Sequence, residues 1–188
     1  MGIIYNVTMV KLSGGSIFLT LIFCSVCYSA QKAHIHGLSN LNMVLDKQTL
    51  AIKIITPLGD IVGFEGIPRT KIQKESIEKA VEKFRKSENV LLINGGSCLQ
   101  KKVTVNLGHI DETDNSRHKH NHKNHEDTHS DLSAEYEFNC SQPEHLKEIT
   151  LRLFDQFSSM EKIKAQWITS NSQGQTSLTK NRNVIKIK

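Results

Sequence analysis

A polar segment near the middle of the chain limits what this sequence can fold into. Residues 117–130 read RHKHNHKNHEDTHS and place five histidines within twelve residues. Hardly any apolar side chain interrupts this stretch, so it cannot build a core, and we expect a disordered insertion loop over residues 109–131. A compact domain must therefore be assembled from the sequence on either side of this loop.

The composition of the loop favours capture of a metal ion. Neutral imidazole is the commonest protein ligand for late first-row divalent metals. If the loop is extended, His118, His120 and His122 lie on one side of it. If it is helical, one face carries His118, His122, His125 and His129. Several ligand sets therefore exist, and the alternative is a solvated polar linker without a ligand. The candidate ligands are His109, His118, His120, His122, His125, His129, Glu126 and Asp127.

His34 and His36 form a second candidate site closer to the amino terminus. Their spacing places both imidazoles on one side of an extended segment. Two ligands are too few for zinc, so a third must come from Glu65, His145 or the loop. The alternative is a pair of exposed histidines that bind nothing.

The first thirty residues are predicted to be an export signal. Lys11 is their only charge, residues 17–27 form an apolar run, and Ala30 offers a small residue at a cleavage site. Eleven apolar residues are fewer than the roughly 20 that span a bilayer, so we expect no stable membrane insertion after cleavage. An uncleaved anchor is the alternative.

Removal of the signal leaves one predicted domain over residues 31–188. It holds 23 basic and 19 acidic residues, a formal charge of +4, without a basic block that would indicate nucleic-acid binding. Cys98 and Cys140 remain, and an even pair in an oxidising compartment predicts one disulfide. It would stabilise the fold by about 4 kcal/mol in the chain-entropy model. The alternative is a pair of cysteine metal ligands.

Hydrophobic periodicity on either side of the loop predicts the fold class. Residues 41–56 alternate around Asp46, which indicates a β-hairpin that ends at Pro57. Residues 70–86 carry one apolar stripe, which indicates the main helix, with Thr70 as its N-cap. The stripe consists of Ile72, Ile77, Ala80, Val81 and Phe84. Shorter runs predict further strands, seven or eight in all. They include a buried run over residues 90–93 and a strand through Ile149, Leu151 and Leu153, and a turn is expected at residues 171–174. We expect an α+β single domain with antiparallel-rich sheets, one main helix and the histidine-rich insertion.

No motif indicates an enzyme. The Gly95–Cys98 segment has a potential nucleophile among glycines, but no partner base is evident. A polar loop also cannot supply the fixed, dry cavity that catalytic zinc requires. We therefore expect a protein without catalytic activity.

Several short strings, in order along the chain, resemble one protein family. They include HIHG (34–37), DIVGFEGIPRT (60–70), YEFNCSQPEHL (136–146) and SQGQTSLT (172–179). Together with the insert they make the chain similar to the ZrgA-like family of exported, histidine-rich, zinc-regulated proteins. The resemblance implies a periplasmic zinc-binding protein linked to zinc import by an ABC transporter or its binding protein.

The resemblance also assigns positions and shows two departures. His34 and His36 match the family's HxHG motif, the loop matches its variable histidine run, and Cys98 and Cys140 match its two cysteines. The family commonly has histidine after GFE, where this chain has Gly66, so a fixed site there would be one ligand short. The loop is also shorter and richer in lysine.

The resulting hypothesis is a periplasmic protein that captures or buffers Zn²⁺ and assists zinc uptake. The affinity order of divalent metals favours copper over zinc, with nickel close to both. A copper or nickel chaperone is therefore one alternative. An envelope interaction module without a metal is the other.

Overall fold

The structure is a computed structural model that describes residues 35–108 and 130–187. The predicted export signal, His34 and residues 109–129 of the predicted loop lie outside the described residues. The predicted end of the loop was wrong: Ser130 and Asp131 are described, and Asp131 is the first residue of a strand because it pairs with Pro57. Within the described ranges the strands are β1 (Leu38–Asp46), β2 (Thr49–Pro57), β3 (Leu91–Asn94), β4 (Cys98–Leu107), β5 (Asp131–Cys140), β6 (Glu148–Leu151), β7 (Lys162–Ile168), β8 (Gln173–Leu178) and β9 (Val184–Lys186), and the helices are α1 (Leu58–Val62), α2 (Lys71–Arg85), α3 (Ser87–Val90) and α4 (Leu153–Gln156).

Alternating apolar residues build the first hairpin, as the sequence predicted. β1 and β2 pair antiparallel and turn after Asp46. Met43 on β1 and Leu50, Ile52 and Ile54 on β2 are all buried on the same face, because successive side chains of a strand point to opposite sides. The other face carries the polar residues of the pattern.

This hairpin forms the centre of a six-stranded sheet with the order β4-β5-β2-β1-β7-β8. All neighbouring pairs in it are antiparallel except β1 and β7, which run parallel. A second sheet, β3-β6-β9, is antiparallel throughout. The predicted α+β fold with antiparallel-rich sheets and one main helix is therefore confirmed.

One continuous hydrophobic core joins the two sheets and the main helix. The inner face of the large sheet contributes side chains such as Leu41 and Ile163, α2 contributes Phe84, and the small sheet contributes Ile149 and Ile185. Each of these residues is at most 1% exposed. The small sheet therefore buries its apolar side chains in the same core as the large sheet and the helix.

The main helix begins and ends close to the predicted positions. Thr70 forms a capping box with Gln73: the Thr70 hydroxyl accepts the Gln73 N–H, and the Gln73 side chain accepts the Thr70 N–H. Near the other end, the buried Tyr136 hydroxyl donates to the Phe84 carbonyl oxygen at 2.6 Å. The prediction was wrong for Ile72, which is 76% exposed rather than part of the buried stripe.

The β4–β5 hairpin holds the two ends of the histidine-rich loop together. At the loop end, Leu107 pairs with Leu132, and the Gly108 N–H donates to the Asp131 carbonyl oxygen at 2.8 Å. At the opposite end, Cys98 and Cys140 form the predicted disulfide, which excludes their use as paired metal ligands. The loop and the disulfide therefore lie at opposite ends of one hairpin.

Some boundaries differ from the sequence prediction. The described residues contain nine strands rather than seven or eight. Leu153 was expected to continue β6 but begins α4, because Arg152 adopts a helical backbone conformation. Gly174 was expected in a turn but lies within β8, opposite Trp167. Leu92, expected in a buried run, is 49% exposed.

A search for helices long and apolar enough to cross a bilayer finds none among the described residues.

Candidate metal site

One corner of the large sheet brings a histidine between two carboxylates. His36 lies just before β1, with its Nδ1 atom 3.7 Å from Oδ1 of Asp60 and its Nε2 atom 3.3 Å from Oε1 of Glu65. The His36 side chain is 67% exposed, that of Glu65 32% and that of Asp60 only 4%. We call these three residues the His36 cluster. Asp60 is the buried member of the His36 cluster, whereas His36 is exposed and Glu65 is partly exposed.

The backbone next to His36 is fixed from two directions. The Gly37 N–H donates to Oδ2 of Asp60 at 2.8 Å, and its carbonyl oxygen accepts the N–H groups of Glu161 and Lys162. Gly37 has φ of 73°, and a Cβ atom here would lie 3.1 Å from the Glu161 side chain. Glycine is therefore favoured at this position, because any other side chain would be strained and would have to displace Glu161.

The short helix α1 presents the two carboxylates. It follows β2 directly, because Pro57 is both the last residue of β2 and the residue before the first turn of α1. Asp60 lies on its buried side, and the turn after α1 brings Glu65 back over Gly59. A Cβ atom at Gly59 would lie 2.9 Å from Cγ of Glu65. The missing side chain at this position therefore leaves the room that Glu65 occupies beside His36.

Within the cluster, the pKa of Asp60 responds to several neighbouring groups. Burial raises the pKa of Asp60 above its usual value, because desolvation disfavours the charged form. The Gly37 N–H bond and the neighbouring His36 oppose this rise in pKa, while the negative charge of Glu65 adds to it. The Gly37 N–H and the His36 side chain thus stabilise the ionised form of the buried Asp60 carboxyl group.

The anchors of the histidine-rich loop lie against the same corner. Asp131, the first residue of β5, pairs with Pro57 at the end of β2. The carbonyl oxygen of Ser130 accepts the Leu58 N–H at 2.8 Å, at the first residue of α1. The helix that carries Asp60 therefore begins where the loop rejoins the sheet.

Most of the predicted ligands lie outside the described residues. These are His34, His109, His118, His120, His122, His125, His129, Glu126 and Asp127. Of the candidates for a third ligand near His36, Glu65 lies beside it, as given above. His145 ends a 3-10 turn (Pro143–His145), where its Nδ1 atom is 3.6 Å from Oε1 of Glu144 and its backbone contacts Gly95. His145 is therefore near the disulfide end of β4.

The His36 cluster does not form a complete metal shell by itself. Across the described parts of the chain, no group of three or more histidine, cysteine, aspartate or glutamate side chains is arranged to hold a metal ion. Within the cluster, Asp60 and Glu65 face opposite nitrogens of the imidazole ring, so only Nε2 and the Glu65 carboxylate converge on one point. The arrangement offers two ligands and an approach from solvent.

Asp60 was not predicted from the sequence. It stands five residues before Glu65 in the string DIVGFE, and the only local signal was an acidic residue three positions after the end of the predicted hairpin at Pro57. That it would be buried and bonded to Gly37 depends on the pairing of segments 23 residues apart. Periodicity within either segment does not carry that information.

A comparison with protein-family models matches residues 33–187 to the family described as "ZrgA family zinc uptake protein". The comparison with curated proteins finds no significant match. The family match covers all described residues, including the His36 cluster and both anchors of the loop. The chain belongs to the ZrgA family of zinc uptake proteins.

Proposed function

We propose that the protein captures or buffers Zn²⁺ in the periplasm and passes it to a zinc uptake system. The histidine-rich loop gathers the ion, and His36, with Glu65 and His34, forms a second, fixed site. Membership of a zinc uptake family supports the choice of metal. The disulfide and the predicted export signal support an oxidising compartment outside the cytoplasm.

The separation of two atoms in the His36 cluster is the observation that carries this proposal. Two ligands of a tetrahedral zinc ion, each about 2.0–2.1 Å from the metal, lie about 3.3–3.4 Å apart. Nε2 of His36 and Oε1 of Glu65 are 3.3 Å apart. The pair therefore has the spacing of one edge of a zinc tetrahedron, with its remaining positions open to other ligands or to water.

His34 is our third ligand for the fixed site. It precedes His36 by two residues, so in an extended segment its imidazole falls on the same side of the chain. A shell of two histidines and one glutamate is a common zinc ligand set, with water or a partner group in the fourth position. Such a shell exchanges its metal more readily than a closed one.

For the loop we propose that His109, His118, His120, His122, His125 and His129 bind zinc, assisted by Glu126 and Asp127. At one end of the loop Ser130 is hydrogen-bonded to the first residue of α1, at the corner that holds the His36 cluster, and at the other end Gly108 is hydrogen-bonded to Asp131. The many alternative ligands of the long loop favour rapid capture of Zn²⁺. The preformed pair of His36 and Glu65 favours its retention. A partner such as a zinc-import ABC transporter or its binding protein would then approach this corner.

Elemental analysis of protein from the native envelope tests the proposal. We expect zinc in the intact protein, and loss of most of it when His118, His120, His122, His125 and His129 are replaced by alanine. The His36→Ala protein should lose about one equivalent per molecule. His145→Ala is the matched control, since His145 is similarly exposed and also contacts a glutamate, and it should keep its zinc.

A different metal content would support a different function. Copper or nickel in place of zinc would indicate a chaperone for that metal. Intact protein without a transition metal would contradict any metal role and favour an interaction module of the cell envelope.

Zinc binding should also depend on pH in one direction. Only neutral imidazole coordinates a metal, so binding must weaken as pH falls through about 6.5, the usual pKa of a histidine side chain. Equilibrium dialysis at pH 7.5 and 5.5 measures this. Equal capacity at both pH values would contradict histidine as the main ligand.

A further inference from the structure

We propose that the cleft between β8 and β9 binds an extended segment of a partner protein, which adds one strand to the free edge of β8. Residues 172–176 form one wall of this cleft, residues 181–184 and Lys186 form the other, and Trp167 also lines it. We call it the β8–β9 cleft, and its volume is about 790 Å³. This inference does not depend on the proposed zinc sites.

The cleft exists because two consecutive strands diverge into different sheets. In the turn between β8 and β9, Thr179 and Arg182 exchange backbone hydrogen bonds of 3.1 and 2.9 Å. Among the strands of the described residues, β8 then pairs only with β7, in the large sheet, and β9 only with β6, in the small sheet. The β8–β9 cleft is therefore lined by one edge strand from each sheet.

The hydrogen bonds of β8 show which of its residues point away from β7. In an antiparallel pair, residues whose N–H and C=O groups both face the partner strand alternate with residues whose groups both face away. The Thr169 N–H donates to the Ser172 carbonyl oxygen at 2.7 Å, so the even-numbered residues of β8 bond to β7. The Ser177 carbonyl oxygen accepts instead from the Arg182 guanidinium at 3.2 Å. The odd-numbered residues of β8 therefore face the open edge.

Gln173 and Gln175 thus direct their N–H and C=O groups away from β7. Both residues line the β8–β9 cleft. No residue in the described ranges makes a backbone hydrogen bond to these four groups. Such groups along a strand edge are a template for another strand, which can bond to them as a neighbour in the sheet would.

The two edges of the large sheet differ in how they are protected. The strand at the opposite edge, β4, carries Lys101 and Lys102 and has a bulge between Gln100 and Lys102. Lysines and bulges are common devices that keep a sheet edge from pairing with other chains. β8 has the sequence QGQTSL, without a charge or a proline, and its register against β7 is continuous over all six residues. Its edge is therefore suited to accept a strand.

The side chains of the cleft indicate what the added segment should carry. The half-buried Trp167 ring lies against Gly174, where a Cβ atom would overlap it, so the glycine makes room for the indole. An apolar side chain can pack on this ring. Arg182 and Lys186 are exposed on the other wall, and no acidic side chain of the described residues lines the cleft. We expect a segment with an apolar side chain near Trp167 and an acidic one near the two cations.

The two walls favour a single strand over a second copy of this chain. A segment between β8 and β9 would have protein on both sides, so it cannot have a sheet of its own beside it. In a second copy, the β8 edge is flanked by that copy's own β7 and β9. The occupant is therefore an unpaired terminal or linker segment of a partner, bound through its backbone and selected by the side chains of the cleft.

Phage display of random dodecapeptides on the full mature chain tests this proposal, with a chelator present so that metal plays no part. Selected peptides are synthesised, and their Kd is measured from the fluorescence of Trp167, the only tryptophan of the chain. We expect sequences that combine apolar and acidic residues. Amide exchange measured by NMR should slow at Gln173 and Gln175 in the complex, because the added strand protects their N–H groups.

Gln175→Pro removes an N–H group that the added strand would use. This N–H points away from β7, and proline is tolerated on an edge strand in that orientation, so the pairing of β7 with β8 is kept. Gln175→Ala is the matched control, because it loses the same side chain but keeps the N–H. The peptide Kd should rise at least about tenfold in Gln175→Pro. It should change less than about twofold in Gln175→Ala.

Lys186→Glu tests the charge of the cleft without altering β8. Lys186 is exposed on β9, so we expect the domain to fold normally and the Kd of an acidic peptide to rise about fivefold. Lys79→Glu is the control, since it makes the same charge change on an exposed residue of α2. It should change the Kd less than about twofold. Thermal unfolding checks every variant, and if Gln175→Pro does not fold, Lys186→Glu and the amide exchange decide.

Three results would overturn the proposal. The first is a selection that enriches no peptide. The second is a selected peptide that binds the folded Gln175→Pro and Lys186→Glu proteins as tightly as their controls, or leaves exchange at Gln173 and Gln175 unchanged. The third is a concentration-dependent dimer in analytical ultracentrifugation that Gln175→Pro abolishes, which would assign the β8 edge to a second copy of this chain.

Discussion

At the scale of single residues, the fixed site depends on glycines that make room as much as on the ligands. Gly59 leaves space for Glu65, and Gly37 lets the His36 segment turn between α1 and β7. Gly66 is different: its φ is 79°, yet a Cβ atom there would meet nothing within 4 Å. Gly66 therefore has open space directly after a proposed ligand, at the position where the resemblance noted in the sequence implies a histidine.

Replacing Gly66 with histidine should add a ligand to the fixed site. Histidine tolerates positive φ better than most residues, so we expect a loss of about 1 kcal/mol in the free energy of unfolding. The zinc Kd of protein without loop histidines should fall at least about tenfold, or ~1.4 kcal/mol in binding free energy. Isothermal titration calorimetry measures the Kd.

Gly66→Ala is the matched control, since it has the same backbone strain without an imidazole. It should lose stability without any change in zinc Kd. An equal gain in affinity for both variants would show that backbone restriction, rather than a new ligand, is responsible.

At the scale of secondary-structure elements, α2 is fixed to the large sheet at its carboxyl end. The last carbonyl groups of a helix lack partners within it. The Phe84 carbonyl, one residue before the helix ends at Arg85, is satisfied by the buried hydroxyl of Tyr136 on β5. The Phe84 ring also stacks on Phe157, with centroids 5.4 Å apart. The end of α2 is thus held by a hydrogen bond to β5 and by ring packing against Phe157, the residue that follows α4.

Tyr136→Phe should destabilise the domain by about 1–3 kcal/mol, because it leaves a buried carbonyl without its donor while keeping the ring. Urea unfolding measures this free energy. Ser76→Ala is the control: the Ser76 hydroxyl also donates to a helix carbonyl, that of Ile72, but at an exposed position. Its effect should stay within about 0.5 kcal/mol. Equal effects of the two substitutions would argue against burial as the cause.

The secondary-structure elements also differ in how well they could be predicted from the sequence. The β1–β2 hairpin and α2 were predictable because each has its own periodicity and end signals within one segment. Leu153 was misassigned because Ile149, Leu151 and Leu153 continue a period of two while the backbone turns at Arg152. The parallel pairing of β1 with β7 was not predictable, since it joins strands more than 100 residues apart and no local pattern specifies it.

At the scale of the whole molecule, the β4–β5 hairpin has the stabilising disulfide at one end and the loop of the proposed metal site at the other. Its disulfide closes one end beside the β1–β2 turn, where the Cys140 N–H donates to the Gln48 carbonyl oxygen at 2.7 Å. Its other end carries the loop and adjoins α1. Ten residues of β4 at about 3.4 Å each put roughly 30 Å between the two ends. Changes at one end should therefore leave the other intact.

Replacing both Cys98 and Cys140 with serine should lower stability without altering zinc capacity. We expect a loss of about 2–5 kcal/mol in the free energy of unfolding, because the unfolded chain regains the freedom that the bridge removes. Denaturant unfolding measures the loss, and elemental analysis of the folded fraction measures zinc. The paired substitution avoids free thiols, which would bind zinc themselves. A fall in zinc content of the folded protein would contradict the separation.

Excision of residues 109–129 should have the opposite effect. Gly108 and Asp131 already face each other, so an Asn-Gly link between Gly108 and Ser130 can close the hairpin with a short turn. Stability should be kept or rise by about 0.6 kcal/mol for each halving of loop length. Zinc capacity should fall to about one equivalent, that of the fixed site. Because the excised protein keeps its core and its disulfide, poor growth of zinc-starved cells that carry it would follow from lost capture rather than lost folding. Growth equal to that of cells with the intact protein would remove the loop from the function.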